Sequence, residues 1–140
     1  MFLLDTNVLS ELRKVRMGMA DARVTAWSRS VNAHELFVSV ITIEELEIGM
    51  LRIERRDPSQ GTSLRRWLHD GVIPTFSSRT LTIDTEVALR SATLQVPDKR
   101  PARDALLAGT ALVHRMIMVT RNVADFANTG VSIVNPWNDP

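Results

Sequence analysis

Residues 1–12, MFLLDTNVLSEL, decide the fold that we predict for this chain. Phe2–Leu4 is an apolar run too short for a helix. Asp5, Thr6 and Asn7 then supply side chains that bind the free backbone N–H groups of a helix start. The stretch therefore predicts a strand that ends at an aspartate and turns directly into a helix.

The same pattern recurs along the chain. Short apolar or β-branched runs lie at 36–41, 81–83, 117–120 and 132–134, and helical patterns fill most of what separates them. Alternating strands and helices are typical of a mostly parallel sheet. We predict an α/β fold with five parallel strands, formed as a single domain over residues 1–140, because this length suits one ordinary core.

Helix boundaries are predicted from caps and helix breakers. Thr42 and Glu45 have the spacing of a capping box, which predicts a helix that begins at Thr42. The polar stretch 54–63 is predicted to connect this helix to another over 62–70, which Gly71 ends. Further helices are predicted over 21–30, over 85–95 and from Ala102 onward.

Composition is that of an ordinary globular protein, with 44% hydrophobic and 24% charged residues. The chain has no cysteine, which excludes disulfides, thiolate metal sites and cysteine nucleophiles and fits a reducing compartment. Asp5 interrupts the apolar N-terminus, so we expect no export signal, no membrane span and a cytoplasmic location. The net charge of +1 means that any affinity for nucleic acid must come from local patches.

Polar side chains are expected to meet at one edge of the predicted sheet, because ligands of open parallel sheets bind beyond the carboxyl ends of the strands. Asp5 follows the first strand, and Glu45 lies in the first turn of the helix after the second strand. Asp104 opens the helix that leads into the fourth strand, which Asn122 and Asp125 follow. We predict that these five residues form a catalytic site.

Carboxylates that converge in this way need a cation, because two unit charges about 4 Å apart repel by about 4 kcal/mol at an effective dielectric of 20. Oxygen ligands favour Mg²⁺ or Mn²⁺ over zinc, and such a site suits phosphodiester hydrolysis. We predict Asp5, Glu45 and Asp104 as the metal ligands. Each also has a purely structural interpretation at a helix start, and the two roles are compatible.

Other chemistries find little support in the sequence. The six glycines are isolated and give no phosphate-binding loop, and there is no G-x-S-x-G motif. His34, His69 and His114 lack the spacing of a metal-binding pair.

Four blocks of sequence resemble the PIN-domain family, and most of all its VapC and FitB toxin branch. They are MFLLDTNVLSEL at 1–12, VSVITIEELEIG at 38–49, ARDALLAGTA at 102–111, and MVTRNVADF at 118–126 continued by VNPW at 134–137. The blocks occur in order along the whole chain. Asp5, Glu45 and Asp104 match the three most dependable acidic positions of the family.

The resemblance implies a three-layer α/β/α fold and Mg²⁺- or Mn²⁺-dependent endoribonuclease activity. It also implies a homodimer, and inhibition by a cognate antitoxin that binds DNA. The chain departs from the family at Asn122, where many relatives carry a fourth acidic residue. Asp125, one helical turn further on, is the candidate replacement, and the number of metal ions is therefore open.

Several residues are expected to support the acidic cluster. Thr6 and Thr120 are expected to fix the carboxylates by hydrogen bonds. Arg100, Arg103 and Arg121 lie near the acidic positions in the sequence and are expected to hold RNA phosphates. The alternative is that these arginines belong to solvated loops.

Two other functions are compatible with the sequence. The first is a catalytically weak protein of the same fold that acts with its antitoxin on DNA, which Asn122 would explain. Three intact acidic positions argue against it, because a binding module has no need of mutually repelling carboxylates. The second is a metal-dependent phosphatase for small phosphoesters, which would need a dedicated substrate pocket.

Overall fold

A computed structural model describes residues 1–138, so the domain expected over 1–140 extends two residues beyond the described part. Its centre is a five-stranded sheet in the order β3-β2-β1-β4-β5, with every neighbouring pair parallel. The strands are Phe2–Leu4 (β1), Leu36–Ser39 (β2), Thr80–Leu81 (β3), Ile117–Val119 (β4) and Ile133–Val134 (β5). The prediction of five parallel strands is confirmed.

Seven α-helices belong to the described part of the chain. They are Thr6–Arg13 (α1), Ala22–Ser30 (α2), Val40–Arg56 (α3), Pro58–Arg65 (α4), Ile73–Thr75 (α5), Thr85–Thr93 (α6) and Ala102–His114 (α7). A π-helical segment, Arg66–Val72, joins α4 to α5, and short 3₁₀ helices lie at Lys14–Met17, Ala33–Glu35 and Val123–Phe126. No helix within residues 1–138 is both long enough and apolar enough to cross a bilayer.

Leu3 and Leu4 show how the sheet divides the core. Successive residues of a strand point to opposite faces of the sheet, and both of these side chains are fully buried. Leu4 packs in a cluster with residues of α1, α3 and the π-helical segment, whereas Leu3 packs with residues of α7. Helices therefore cover both faces of the sheet, which confirms the three-layer α/β/α architecture.

The strand order places a topological switch point between β1 and β4. From β1 the chain proceeds to β2 and β3 on one side, whereas β4 and β5 lie on the other. The backbone N–H of Asp5 donates to the carbonyl of Val119 at 2.9 Å, so the carboxyl ends of β1 and β4 lie side by side. This is the crevice in which open parallel sheets bind ligands.

The predicted capping box at Thr42 is wrong. Ser39, the last residue of β2, caps α3, and its hydroxyl accepts from the backbone N–H of Ile41 at 3.0 Å. The helix therefore begins at Val40 without an intervening loop, and Glu45 lies in its second turn. Ser is as good a cap as Thr. Val40 and Ile41, predicted as the end of the strand, form the first turn of the helix instead, and Ile41 packs against the core cluster that contains Leu3.

The predicted connection over 54–63 is also wrong, because that stretch is helical apart from a break at Asp57. The Asp57 carboxylate accepts from the backbone N–H of Gln60 at 3.1 Å, and Pro58 occupies the first turn of α4. Gly71 does not end a helix, since the π-helical segment continues through it. Burial of Leu68 and Val72 in the core outweighs the weak helix propensity of this glycine.

Gly61 is the point at which α4 approaches α3 most closely. A Cβ atom at this position would lie 2.3 Å from Cα of Glu54, closer than the backbone allows. We expect Gly61→Ala to lower the free energy of unfolding by about 1–3 kcal/mol, the usual cost of overpacking. Urea denaturation would measure it.

Gly49→Ala is the matched control, because Gly49 is also helical and a Cβ there would meet nothing within 4 Å. This substitution should leave stability unchanged or raise it by up to about 1 kcal/mol through helix propensity. Equal stability of the two variants would contradict the packing described for α3 and α4.

Candidate active site

Asp5 is the most deeply buried acidic residue of the candidate site, with a relative exposure of 2%. It caps α1 directly after β1, and its Oδ1 accepts from the backbone N–H of Thr6 at 2.8 Å and from Nη2 of Arg103 at 3.3 Å. Its Oδ2 accepts from Oγ1 of Thr120 at 2.8 Å and from Nδ2 of Asn7 at 3.3 Å. The carboxylate is therefore both a helix cap and a fixed, buried charge at the end of the strand.

Asn7 is a residue of the site that the sequence analysis treated only as part of a helix start. Its Nδ2 lies 3.5 Å from Oγ1 of Thr120, and its Oδ1 accepts from the backbone N–H of Arg121 at 3.2 Å. Asn7 therefore ties the end of β1 to the end of β4. The D-T-N sequence at 5–7 offered a signal for this role. Asn7 is the one residue of the three whose side-chain amide can donate and accept hydrogen bonds at the same time.

The two threonines expected to support the cluster behave differently. Thr120 donates its hydroxyl hydrogen to Asp5, as expected, and its Oγ1 accepts from the backbone N–H of Asn122 at 3.0 Å. Thr6 contacts Asp5 only through its backbone N–H, and its buried hydroxyl has no hydrogen-bond partner among residues 1–138. Of the two threonine hydroxyls, only that of Thr120 bonds the Asp5 carboxylate.

Arg103 joins the three acidic side chains that were predicted as metal ligands. Its Nη2 lies 3.3 Å from Oδ1 of Asp5, and its Nη1 lies 3.3 Å from Oδ1 of Asp104. Its Nε contacts Oε2 of Glu45. The structure therefore brings Asp5, Glu45 and Asp104 around a single guanidinium, whereas the sequence analysis expected Arg103 to face RNA phosphates.

Asp104 lies in the first turn of α7 and has a relative exposure of 7%. Burial raises the pKa of this carboxyl, and the negative charges of Asp125 and Asp5 raise it further, while Arg103 opposes them. A raised pKa means that folding favours the protonated form, so ionisation of Asp104 costs stability as the pH rises through that pKa. A cation beside Asp104 would remove this cost.

Asp125 and Asn122 follow β4 and lie next to the cluster formed by Asp5, Glu45 and Asp104. Asp125 lies in the 3₁₀ helix after β4, exposed to solvent, and is close enough for its charge to raise the pKa of Asp104. Asn122 is exposed and contacts the network through its backbone N–H alone, without a side-chain cap to the 3₁₀ helix. The fourth negative charge near Asp104 thus comes from Asp125.

Glu45 faces the cluster although the start of its helix was predicted wrongly. Its side chain contacts Arg103, whereas the neighbouring Glu44 is exposed to solvent. Glu45 and Thr6 also line a cleft of about 360 Å³ whose wall includes Ile48 and Trp67. The acidic cluster therefore opens onto a partly apolar cleft along α3.

The other two arginines do not contact the acidic side chains. Arg100 donates from Nε to the carbonyl of Leu94 at 2.9 Å and from Nη1 to that of Ala127 at 3.3 Å, which holds the loop before α7 in place. The guanidinium of Arg121 lies over the ring of Trp137, 5.2 Å from its centroid. The charge of Arg100 is near enough to lower the pKa of Asp104, whereas Arg121 joins the site through its backbone N–H, which donates to Oδ1 of Asn7.

The donor set suits a hard divalent cation, because its side chains offer only oxygen. Within residues 1–138, however, no three acidic or histidine side chains lie close enough together to hold a metal ion as they stand. The carboxylates surround the guanidinium of Arg103, which is the cation of the cluster in this structure. Asp5, Glu45 and Asp104 therefore fit a divalent metal in two respects. They offer oxygen ligands, and they already gather around one positive group.

Comparison with known proteins finds relatives over nearly the whole chain. The model of the PIN domain family matches residues 2–131. The chain is 31% identical to Toxin FitB of Neisseria gonorrhoeae over 99% of this chain and 100% of that protein. It is also 31% identical to VapC ribonuclease Y4jK of Sinorhizobium fredii over 98% of each chain.

Solved structures of similar fold superpose over nearly the whole chain. The structure of FitAB bound to an IR36 DNA fragment superposes with a TM-score of 0.88 and 29% identity, over 100% of this chain and 98% of that one. A toxin–antitoxin complex from Klebsiella pneumoniae superposes with a TM-score of 0.69 and 26% identity, over 99% of this chain and 100% of that one.

Proposed function

The chain belongs to the PIN domain family, and from that premise we propose that it is a Mg²⁺- or Mn²⁺-dependent endoribonuclease and the toxin of a toxin–antitoxin pair. The observation that carries the proposal is the convergence of Asp5, Glu45 and Asp104 on one cationic group at the topological switch point of the sheet. The ribonuclease name of the Sinorhizobium relative supports the choice of RNA.

We assign the metal to Asp5, Glu45 and Asp104, with Asp125 as a further negative charge and Asn122 as a neutral neighbour. A bound Mg²⁺ or Mn²⁺ supplies a lowered pKa for water and a counter-charge for the phosphate and the leaving oxygen. Thr120 and Asn7 keep the Asp5 carboxylate in one orientation through their hydrogen bonds. The orientation of the Asp5 carboxylate is thus set before substrate binds. A catalytic group that is held in this way does not have to reorganise during the reaction.

Positive charge around the cluster gives RNA a place to bind. Arg100, held on the loop before α7, is near enough for its charge to lower the pKa of Asp104. Arg121, whose guanidinium lies over Trp137, is joined to Asn7 through its backbone N–H. We assign phosphate binding to these two arginines and to Arg103, with Thr6 and Thr120 at the floor of the site. Contacts of this kind position a nucleic acid without reading its sequence.

We propose that the partner of this toxin is an antitoxin that binds DNA, because one similar structure is a toxin–antitoxin complex and another, FitAB, is bound to a DNA fragment. We place an apolar segment of it in the cleft beside Glu45, where Ile48 is exposed although hydrophobic and Trp67 forms part of the wall. We further propose that the chain folds as one domain, acts in the cytoplasm and forms a homodimer.

The substrate class can be tested with purified protein and Mn²⁺. We expect cleavage of single-stranded RNA within its length, and no turnover of para-nitrophenyl phosphate, a small phosphoester. Turnover of the small ester without RNA cleavage would indicate a phosphatase. Cleavage of neither, together with binding of the antitoxin and DNA, would indicate a binding protein, and either result would overturn the proposal.

A further inference from the structure

Arg103 occupies an unusual place, immediately before one candidate metal ligand and in contact with all three. Asp5 comes from the end of β1, Glu45 from α3 and Asp104 from α7 itself. Their side chains show relative exposures of 3%, 35% and 9%, and that of Arg103 shows 39%. One partly exposed guanidinium thus supplies the positive charge for two buried carboxylates and a third that is half buried.

A guanidinium and a divalent ion cannot both occupy this position. Mg²⁺ needs oxygen ligands at about 2.0–2.1 Å from its centre. Here two carboxylate oxygens lie 3.3 Å from different nitrogens of a planar group that spreads between them. No three acidic side chains within 1–138 close on a common point. The guanidinium would have to leave, and Glu45 and Asp104 would have to move towards the fixed carboxylate of Asp5, before a metal could be bound.

We propose that Arg103 is an internal counter-ion that competes with the divalent metal for the acidic cluster. In the metal-free protein it offsets the repulsion among Asp5, Glu45 and Asp104, and metal binding displaces it. Its partly exposed side chain has a direct path into solvent. The inference rests on the proposed function, because it takes these carboxylates as the metal ligands.

Competition of this kind lowers the apparent affinity for metal. Only the fraction of molecules in which the guanidinium has left can bind, and the apparent dissociation constant rises by the inverse of that fraction. A purely structural ion pair would have the opposite effect, because its loss would let the cluster spread apart and would weaken metal binding. The sign of the change on removing Arg103 therefore separates the two roles.

The test is calorimetric titration of Mn²⁺, without RNA, into the full chain and three variants. Arg103→Gln removes the charge and keeps a shorter polar side chain that ends near the position of Nε, and Arg103→Ala removes the group. Lys99→Ala is the matched control, since it removes a nearby exposed charge that makes no ion pair within the described residues.

We expect both Arg103 variants to bind Mn²⁺ at least about tenfold more tightly, as for a competent fraction of about one tenth. Lys99→Ala should change the affinity by less than about twofold, because an exposed charge is screened.

Thermal unfolding supplies a second readout. It compares each protein with and without Mn²⁺, so it remains valid if a variant is less stable than the native chain. Without metal, Arg103→Gln should melt below the native protein, and saturating Mn²⁺ should raise its melting temperature by more than it raises that of the native chain. Equal or weaker Mn²⁺ binding by both Arg103 variants would overturn the inference alone. Absence of Mn²⁺ binding in all four proteins would overturn the inference and the proposed metal site together.

Discussion

Asp104→Asn and Asp5→Asn are each expected to reduce metal-dependent RNA cleavage by about a thousandfold, the scale for removing a group that stabilises charge in the transition state. Each substitution keeps the size of the side chain and removes one negative charge from the cluster. Initial rates on a labelled RNA, measured at saturating Mn²⁺, would give the effect.

Both variants should fold, and the stability of Asp104→Asn can be predicted from the pKa of Asp104. Since the pKa of Asp104 is raised, its ionised form opposes folding, so Asp104→Asn should equal or exceed the native melting temperature at neutral pH without metal. Asp98→Asn, at an exposed position in the loop before α7, is the control for loss of an acidic side chain. Full cleavage by either active-site variant would remove its residue from the catalytic set.

Glu45→Gln is expected to slow RNA cleavage by about a hundredfold, whereas Glu44→Gln should change it by less than about twofold. The two residues are adjacent on α3, but Glu45 contacts Arg103 and Glu44 is exposed. The pair controls for charge, helix propensity and position in the chain. Equal losses, or a larger loss at Glu44, would mean that the wrong face of α3 has been assigned to the site.

The acidic positions could be predicted from the sequence because the parallel sheet fixes where its strands end. Asp5 directly follows an apolar run, so no alternative boundary moves it away from the edge of the sheet. Glu45 lies on the predicted side although the helix begins at Val40 rather than Thr42. The face of a helical residue depends on the buried stripe of the whole helix, which Leu46 and Met50 define here, and not on its first residue.

The contacts of Arg103 could not be predicted, because they join residues far apart in the sequence. Its approach to Glu45 depends on how α3 and α7 are packed on the sheet, which no local pattern encodes. The π-helical segment over Arg66–Val72 was missed for a related reason. Gly71 signals a helix end when read locally, and only burial of its neighbours in the core shows that the helix continues.

Asn7 illustrates a third kind of omission. The residues next to Asn7 in the sequence are enough to explain it as part of a helix start. Its bonds to Asp5 and to the backbone of Arg121 become apparent only when β1 and β4 are placed side by side. Cross-strand roles of this kind need the strand order, which the periodicity of the sequence does not give.

The most direct test of the metal site is the dependence of RNA cleavage on added Mn²⁺, measured with protein freed of metal by a chelator. We expect no cleavage without metal, a rate that rises to saturation as Mn²⁺ is added, and no such rise for Asp104→Asn. Cleavage that continues undiminished in the presence of chelator, or a full Mn²⁺ response in Asp104→Asn, would contradict it.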